Sequence, residues 1–246
     1  MDPGKDNVLV CAGCLIFIPQ AYALPDTEDA VNTLLYMQLA ASKRHSRFTE
    51  SGRWDDRFMR AIVTFGWALK GDASSTRTLP SSPATVWDWI ESDLPVFLPV
   101  DAVISAQKTA HDCYLSLPDQ PAIHLYASQV QERAAFSAQL SGNQDQRHDD
   151  DAVAGTRVSL QLAFPGPDLS LCIVKVSFTS RIPLKPDFMF QPIAAQDVSG
   201  KIELTFCLLQ RHEQEFSLNR GQITAALASR SEALISPLQE AANVQQ

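Results

Sequence analysis

Hydrophobic positions recur along this chain with two periods, one for each half. Val31, Leu34, Leu35 and Leu39 form a helical stripe, so a helix is predicted from Thr27 to about Lys43, capped by Asp26 with Pro25 just ahead. Trp54, Phe58, Ile62, Phe65 and Leu69 follow at spacings of four, four, three and four. They predict a second helix over about Arg53 to Leu69 with a core-facing edge. The stretch from Gly71 to Thr85 has no apolar period and reads as a surface loop, although Ser82 and Pro83 open a short helix that carries Val86, Trp87, Trp89 and Ile90. Asp101 to about Leu115 and Ile123 to Leu140 fit further helices.

After the polar stretch from Ser141 to Asp151 the period falls to two. Val158, Leu160, Leu162 and Phe164 alternate with Arg157, Ser159 and Gln161, the mark of a half-buried strand. Pro165, Gly166, Pro167 and Asp168 supply a turn, and Leu169 to Phe178 returns as a second strand, which predicts an antiparallel hairpin. Ile202, Leu204, Phe206 and Leu208 repeat the alternation. Pro183, Pro186 and Pro192 keep the segment before them out of any central strand, because proline has no N–H for the ladder. Asn219 is placed to cap a last helix over Arg220 to Ile235.

The expected architecture is α+β: a helical N-terminal half, then a mostly antiparallel sheet and a C-terminal helix. One domain is expected over residues 1–246, with a sub-boundary near 141–156 between a mainly helical part, 1–140, and a strand-rich part, 156–240.

The N-terminal run from Val8 to Ile18 breaks the pattern, because it is apolar almost throughout. At eleven residues it is too short to span a bilayer as a helix, which takes about 20 residues. As a targeting signal it has the wrong flank, since Asp2 and Asp6 outweigh Lys5 ahead of it. The expectation is a buried strand. Val8, Val10, Leu15 and Phe17 would then be contact residues if that strand lay at a sheet edge and paired with a partner. Trp87 and Trp89, two positions apart on one helix, cannot share a face, which makes them a second candidate contact.

Charge and chemistry narrow the function classes. The 246 residues carry a net charge of −8, without the clustered Lys and Arg that phosphate backbones require, so nucleic acid is not an expected partner. No transmembrane segment is expected, and contact with a membrane surface stays a lesser alternative. The ten glycines are spaced so that neither a dinucleotide fingerprint, a phosphate loop nor a nucleophile elbow can be written. Five cysteines give no disulfide framework. Cys11 and Cys14 have the spacing of half a metal or redox site, but no second pair completes a tetrahedron, and no amphipathic helix follows. His148 and Asp149 open an acidic run that lacks the alternate oxygens and central glycine of a calcium loop. His111, Asp112 and Cys113 hold the residue types of a nucleophilic triad, yet neighbours in sequence point apart.

No cofactor is expected, and the chain reads away from an enzyme. The leading reading is a non-enzymatic, cytoplasmic protein that binds another protein or its own copies. The alternatives are a hydrolase with a nonlocal site and a secreted or membrane-active effector that uses the apolar N-terminal segment.

Overall fold

A computed structural model describes residues 7–19, 24–79, 82–136 and 153–238. The chain opens on strands, β1 (Asn7–Cys11) and β2 (Cys14–Ile18), before helices α1 (Leu24–Ser42) and α2 (Ser51–Thr64). Strand β3 (Trp67–Arg77) comes next, then α3 (Val86–Glu91), α4 (Val100–Ser116), α5 (Pro121–Val130) and β4 (Gln131–Phe136). The remainder is β5 (Val153–Gly166), β6 (Ser170–Ser180), β7 (Val198–Arg211), α6 (Glu213–Leu227), α7 (Ser231–Leu234) and β8 (Ile235–Pro237). The fold is α+β, but the helical N-terminal half does not exist, because four of the eight strands belong to it.

Each departure from the sequence pattern has a local cause. The apolar run from Val8 to Ile18 is two strands, folded back at Ala12, whose φ is +50°, and Gly13. Strand β3 looked like a loop because it is an edge strand: it pairs only with β7, and most of its side chains meet solvent. Helix α2 stops at Thr64 because Gly66 turns the chain at φ +88°, where a Cβ would lie 2.6 Å from the Phe216 backbone nitrogen. Helix α5 ends at Val130, and its tail Gln131–Phe136 pairs with β5 as β4. Asn219 lies inside α6 and caps nothing. The loop expected over Ser141 to Asp151 lies outside the described residues. The hairpin of β5 and β6 forms as its alternation requires, from Thr156 opposite Ser180 to Gly166 opposite Ser170.

The eight strands among the described residues join one sheet, in the order β3-β7-β6-β5-β2-β1-β8 with β4 also on β5. Only β2 and β5 run parallel. Helices cover both faces, which explains the unbroken apolar stretches of β1, β2 and β6. On one face α1, α2 and α6 pack over Leu9, Ile16, Ile173 and Leu209. On the other, α3, α4 and α5 pack over Val10, Leu15, Leu160, Val174 and Phe206. The first helical layer is pinned by ions: Arg211 donates to Asp26 and Asp29 of α1, and Arg220 of α6 shares Asp29 with it.

Candidate membrane-contact face

Four adjacent antiparallel strands give the sheet two chemically distinct sides. They are long: β3 and β6 have 11 residues each, β5 and β7 have 14. Toward α3–α5 they present Val158, Leu160, Leu162 and Phe164, then Cys172, Val174, Val176 and Phe178, then Ile202, Leu204, Phe206 and Leu208. The opposite side of the same strands is mixed: Ala163, Leu171, Ile173 and Leu209 are buried under the helices, and Ser159, Gln161, Lys175, Ser177, Glu203 and Thr205 form a polar stretch beside them. A transmembrane β-strand needs about 9–11 residues with apolar and polar side chains alternating. Strands β5, β6 and β7 have that length, and β5 and β7 alternate over Val158–Phe164 and Ile202–Leu208.

The polar stretch is closed by α2, at a partly buried ion pair. Lys175 Nζ donates to both oxygens of Asp55, at 2.6 and 2.5 Å, and lies 5.7 Å from the Trp54 ring centroid. Burial outweighs the attraction. It pushes the Asp55 carboxyl up and the Lys175 ammonium down, each against the pull of its partner.

Aromatic side chains hold the layer over the apolar side. Trp89 meets Phe178 edge-on at 5.0 Å, Phe97 stacks on Phe206 at 5.3 Å, and Phe17 packs against both Trp87 and Phe164. The layer is clipped at the sheet edge by Arg77 of β3, 2.6 Å from Asp93 after α3. Yet its polar atoms are poorly served. Trp87 Nε1, Trp89 Nε1 and Tyr114 Oη are buried with no hydrogen-bond partner among the described residues. Each such group costs roughly 1–3 kcal/mol relative to a satisfied one. Indole and phenol groups recover their hydrogen bonds at a membrane–water interface, where both residue types are enriched.

The outer face of this layer carries aliphatic groups among its polar ones. Val100, Ile104 and Leu115 of α4 are 57, 57 and 62% exposed, and Val96 just ahead of them is 79% exposed. They account for half of the large hydrophobic residues that the described chain leaves in solvent. Helix α4 therefore buries Val103, Ala106, Ala110 and Tyr114 inward while it holds aliphatic groups outward. The signal was present in the sequence as the four-residue step from Val100 to Ile104 on the flank opposite Val103 and Ala106.

The residues singled out by sequence fall elsewhere. Val8, Val10, Leu15 and Phe17 are in the core, and β1 lies between β2 and β8 instead of at a sheet edge. Trp87 and Trp89 are both buried, because one packs toward Phe17 and the other toward Phe178. Cys113 points into the core while His111 and Asp112 stay half-exposed, so the three do not converge. Cys11 and Cys14 face each other across the β1–β2 turn, buried, with burial pushing the Cys11 thiol up to about 12. No group of three or more candidate metal ligands occurs among the described residues. His148 and Asp149 lie outside them.

No family model matches this sequence. No curated protein matches it either. Among solved structures, a protein titled delta-endotoxin superposes with a TM-score of 0.45 at 8% identity, over 80% of each chain. The activated Cyt2Ba monomer from Bacillus thuringiensis subsp. israelensis superposes at 0.39 with 11% identity, over 81% of this chain and 97% of that one. No helix among the described residues is long and apolar enough to cross a membrane.

Proposed function

We propose that this chain is a membrane-active effector whose α3–α5 layer meets the bilayer first. The observation that carries the reading is the position of that layer, apolar outward at Val96, Val100, Ile104 and Leu115 and seated inward on the apolar side of an amphipathic sheet. On contact the outward stripe enters the interface. Lifting the layer then offers the sheet's apolar side to acyl chains while its polar side keeps Lys175 and its neighbours away from lipid. In this reading the outward stripe of α4 makes the first contact, while β1 and β2 are buried in the sheet, β1 next to the short edge strand β8.

Glu91, Asp101 and Asp112 of α3 and α4 outnumber Lys108 there, so an anionic surface repels this layer. Co-sedimentation with zwitterionic vesicles tests the reading. Binding is expected there and is expected to weaken as anionic lipid is added; a protein that stays in the supernatant with every vesicle composition refutes it. Self-association is the second reading, because the same exposed stripe fits a second copy. Light scattering after size-exclusion chromatography detects it as a dimer that charged substitutions in the stripe dissociate.

A further inference from the structure

A cleft of about 190 Å³ opens on the polar side of the sheet, opposite the proposed membrane face. Its wall contains Arg47, Arg157 and Lys201, with Glu203 as its one carboxylate, and the hydroxyls of Ser51, Ser159, Ser177 and Thr179. Three cations face one anion. Arg157 is occupied, donating to Glu132 at 3.2 Å. Arg47 is not. It is 8% exposed, it donates only from Nη1 to the Gln129 carbonyl at 3.3 Å, and its Nε and Nη2 have no partner among the described residues.

Asp55 attracts it through space but makes no hydrogen bond to it, since both Asp55 oxygens bond Lys175. The Arg47 guanidinium lies over the Trp54 ring, 4.7 Å from the centroid, and against Gly13, where an added Cβ would come within 1.7 Å of Nη1. Burial lowers its pKa only to about 10, so the group stays charged at neutral pH. A buried, charged and half-satisfied guanidinium is costly unless an anion completes it.

Two further donors converge on the cleft. Ser159 Oγ is buried without a partner. Ser51, which lines the cleft, starts the 14-residue helix α2, whose N-cap Glu50 makes no side-chain capping bond and whose first turn has no acidic residue. The positive end of a helix dipole favours an oxyanion there, beside the Glu50 carboxylate that the Ser46 N–H and Arg53 already hold.

The geometry points to a binding site for a phosphate-class oxyanion in this cleft, held by Arg47, Lys201, the Ser51–Ser159 hydroxyls and the N-terminus of α2. The site stands on its own evidence, whichever partner the α4 stripe meets. Two sources share this chemistry: a free phosphate or phosphate ester, and the headgroup of a phosphomonoester lipid.

Titration calorimetry of the full chain at 0.15 M salt tests it, with inorganic phosphate, glycerol phosphate and a short-chain phosphatidic acid below its micellar concentration as probes. One saturable site is expected for phosphate. Arg47→Gln should weaken it at least tenfold, and Lys201→Ala, an exposed position that leaves the core intact, roughly three- to fivefold. Lys108→Ala, on the other side of the molecule, should leave it unchanged. Should Arg47→Gln fail to fold, Lys201→Ala and Ser177→Ala carry the test. Equal affinity for all three probes identifies a free phosphate ligand, while phosphatidic acid binding tenfold more tightly identifies a lipid headgroup. Absence of saturable binding for every probe up to about 20 mM, or binding that the cleft substitutions leave unchanged, overturns the proposal.

Discussion

The double substitution Ile104→Asp and Leu115→Asp tests the outward stripe while leaving the core alone. Val96, Val100, Ile104 and Leu115 are 79, 57, 57 and 62% exposed, equivalent to about two and a half fully exposed aliphatic side chains. Burying one such side chain is worth roughly 1.5–3 kcal/mol, so moving the whole stripe into the interface contributes about 4–7 kcal/mol. Ile104 and Leu115 supply nearly half of that. Replacing them removes about 2–3 kcal/mol, before any penalty for carrying two carboxylates toward lipid, and each 1.4 kcal/mol is a factor of ten. Partitioning into zwitterionic vesicles should therefore fall by at least 30- to 100-fold, read from the lipid concentration that binds half the protein. Thermal stability should change by no more than about 0.5 kcal/mol per site, as at other exposed positions. Undiminished vesicle binding by a folded double variant would refute the reasoning, because the stripe would then not be what meets the membrane.

Two further outcomes follow from the polar side and the core. Lys175→Met leaves Asp55 with burial and without its partner. Its carboxyl then rises further above the ordinary Asp value, and the associated stability is lost as pH rises through that raised value. The variant should be about 1–2 kcal/mol less stable than the parent at pH 7, because Asp55 keeps 40% of its side chain in solvent, and closer to it at pH 4. A denaturant midpoint that differs equally at both pH values would count against the burial argument. The four buried thiols at Cys11, Cys14, Cys113 and Cys172 should resist a thiol reagent at pH 8 until the chain unfolds, with Cys207, which is partly exposed and held up at about 11, reacting slowly. Rapid native labelling of Cys11 or Cys14 would show that the β1–β2 turn opens.

The strands that lie mid-sheet were legible because alternation and burial agree there. Val158 to Phe164 and Ile202 to Leu208 each expose one side to a helical layer, and their period of two survives folding intact. Strand β3 was hidden for the opposite reason: an edge strand half in water needs no apolar period, and its sequence is rich in Ser and Thr. Helix α5 and strand β4 merged in the sequence because nothing between Val130 and Gln131 marks a break; pairing with β5 decides it. The two tryptophans drew attention for their type, but the exposed contacts are ordinary aliphatics on α4, recognisable only once Val103 and Ala106 are known to face inward. Lys43, Arg44, His45 and Arg47 form a short basic cluster just after α1, a pattern that by itself describes a solvated helix end. The burial of Arg47 depends on Gly13, Trp54 and Gln129, which are brought together by tertiary packing and not by sequence proximity.

The central claim is that the α3–α5 layer must lift from the sheet for the chain to act on a bilayer. The Arg77–Asp93 contact, 2.6 Å between side chains, is where the layer can be pinned. Replacing both residues by cysteine and joining them with a short, reducible bis-thiol linker closes that edge covalently. Dye release from zwitterionic vesicles is the direct measurement. Release is expected from the uncoupled variant, none from the linked protein, and recovery when the linker is reduced. Equal release by the linked and the reduced protein, with linkage confirmed by mass, would contradict it.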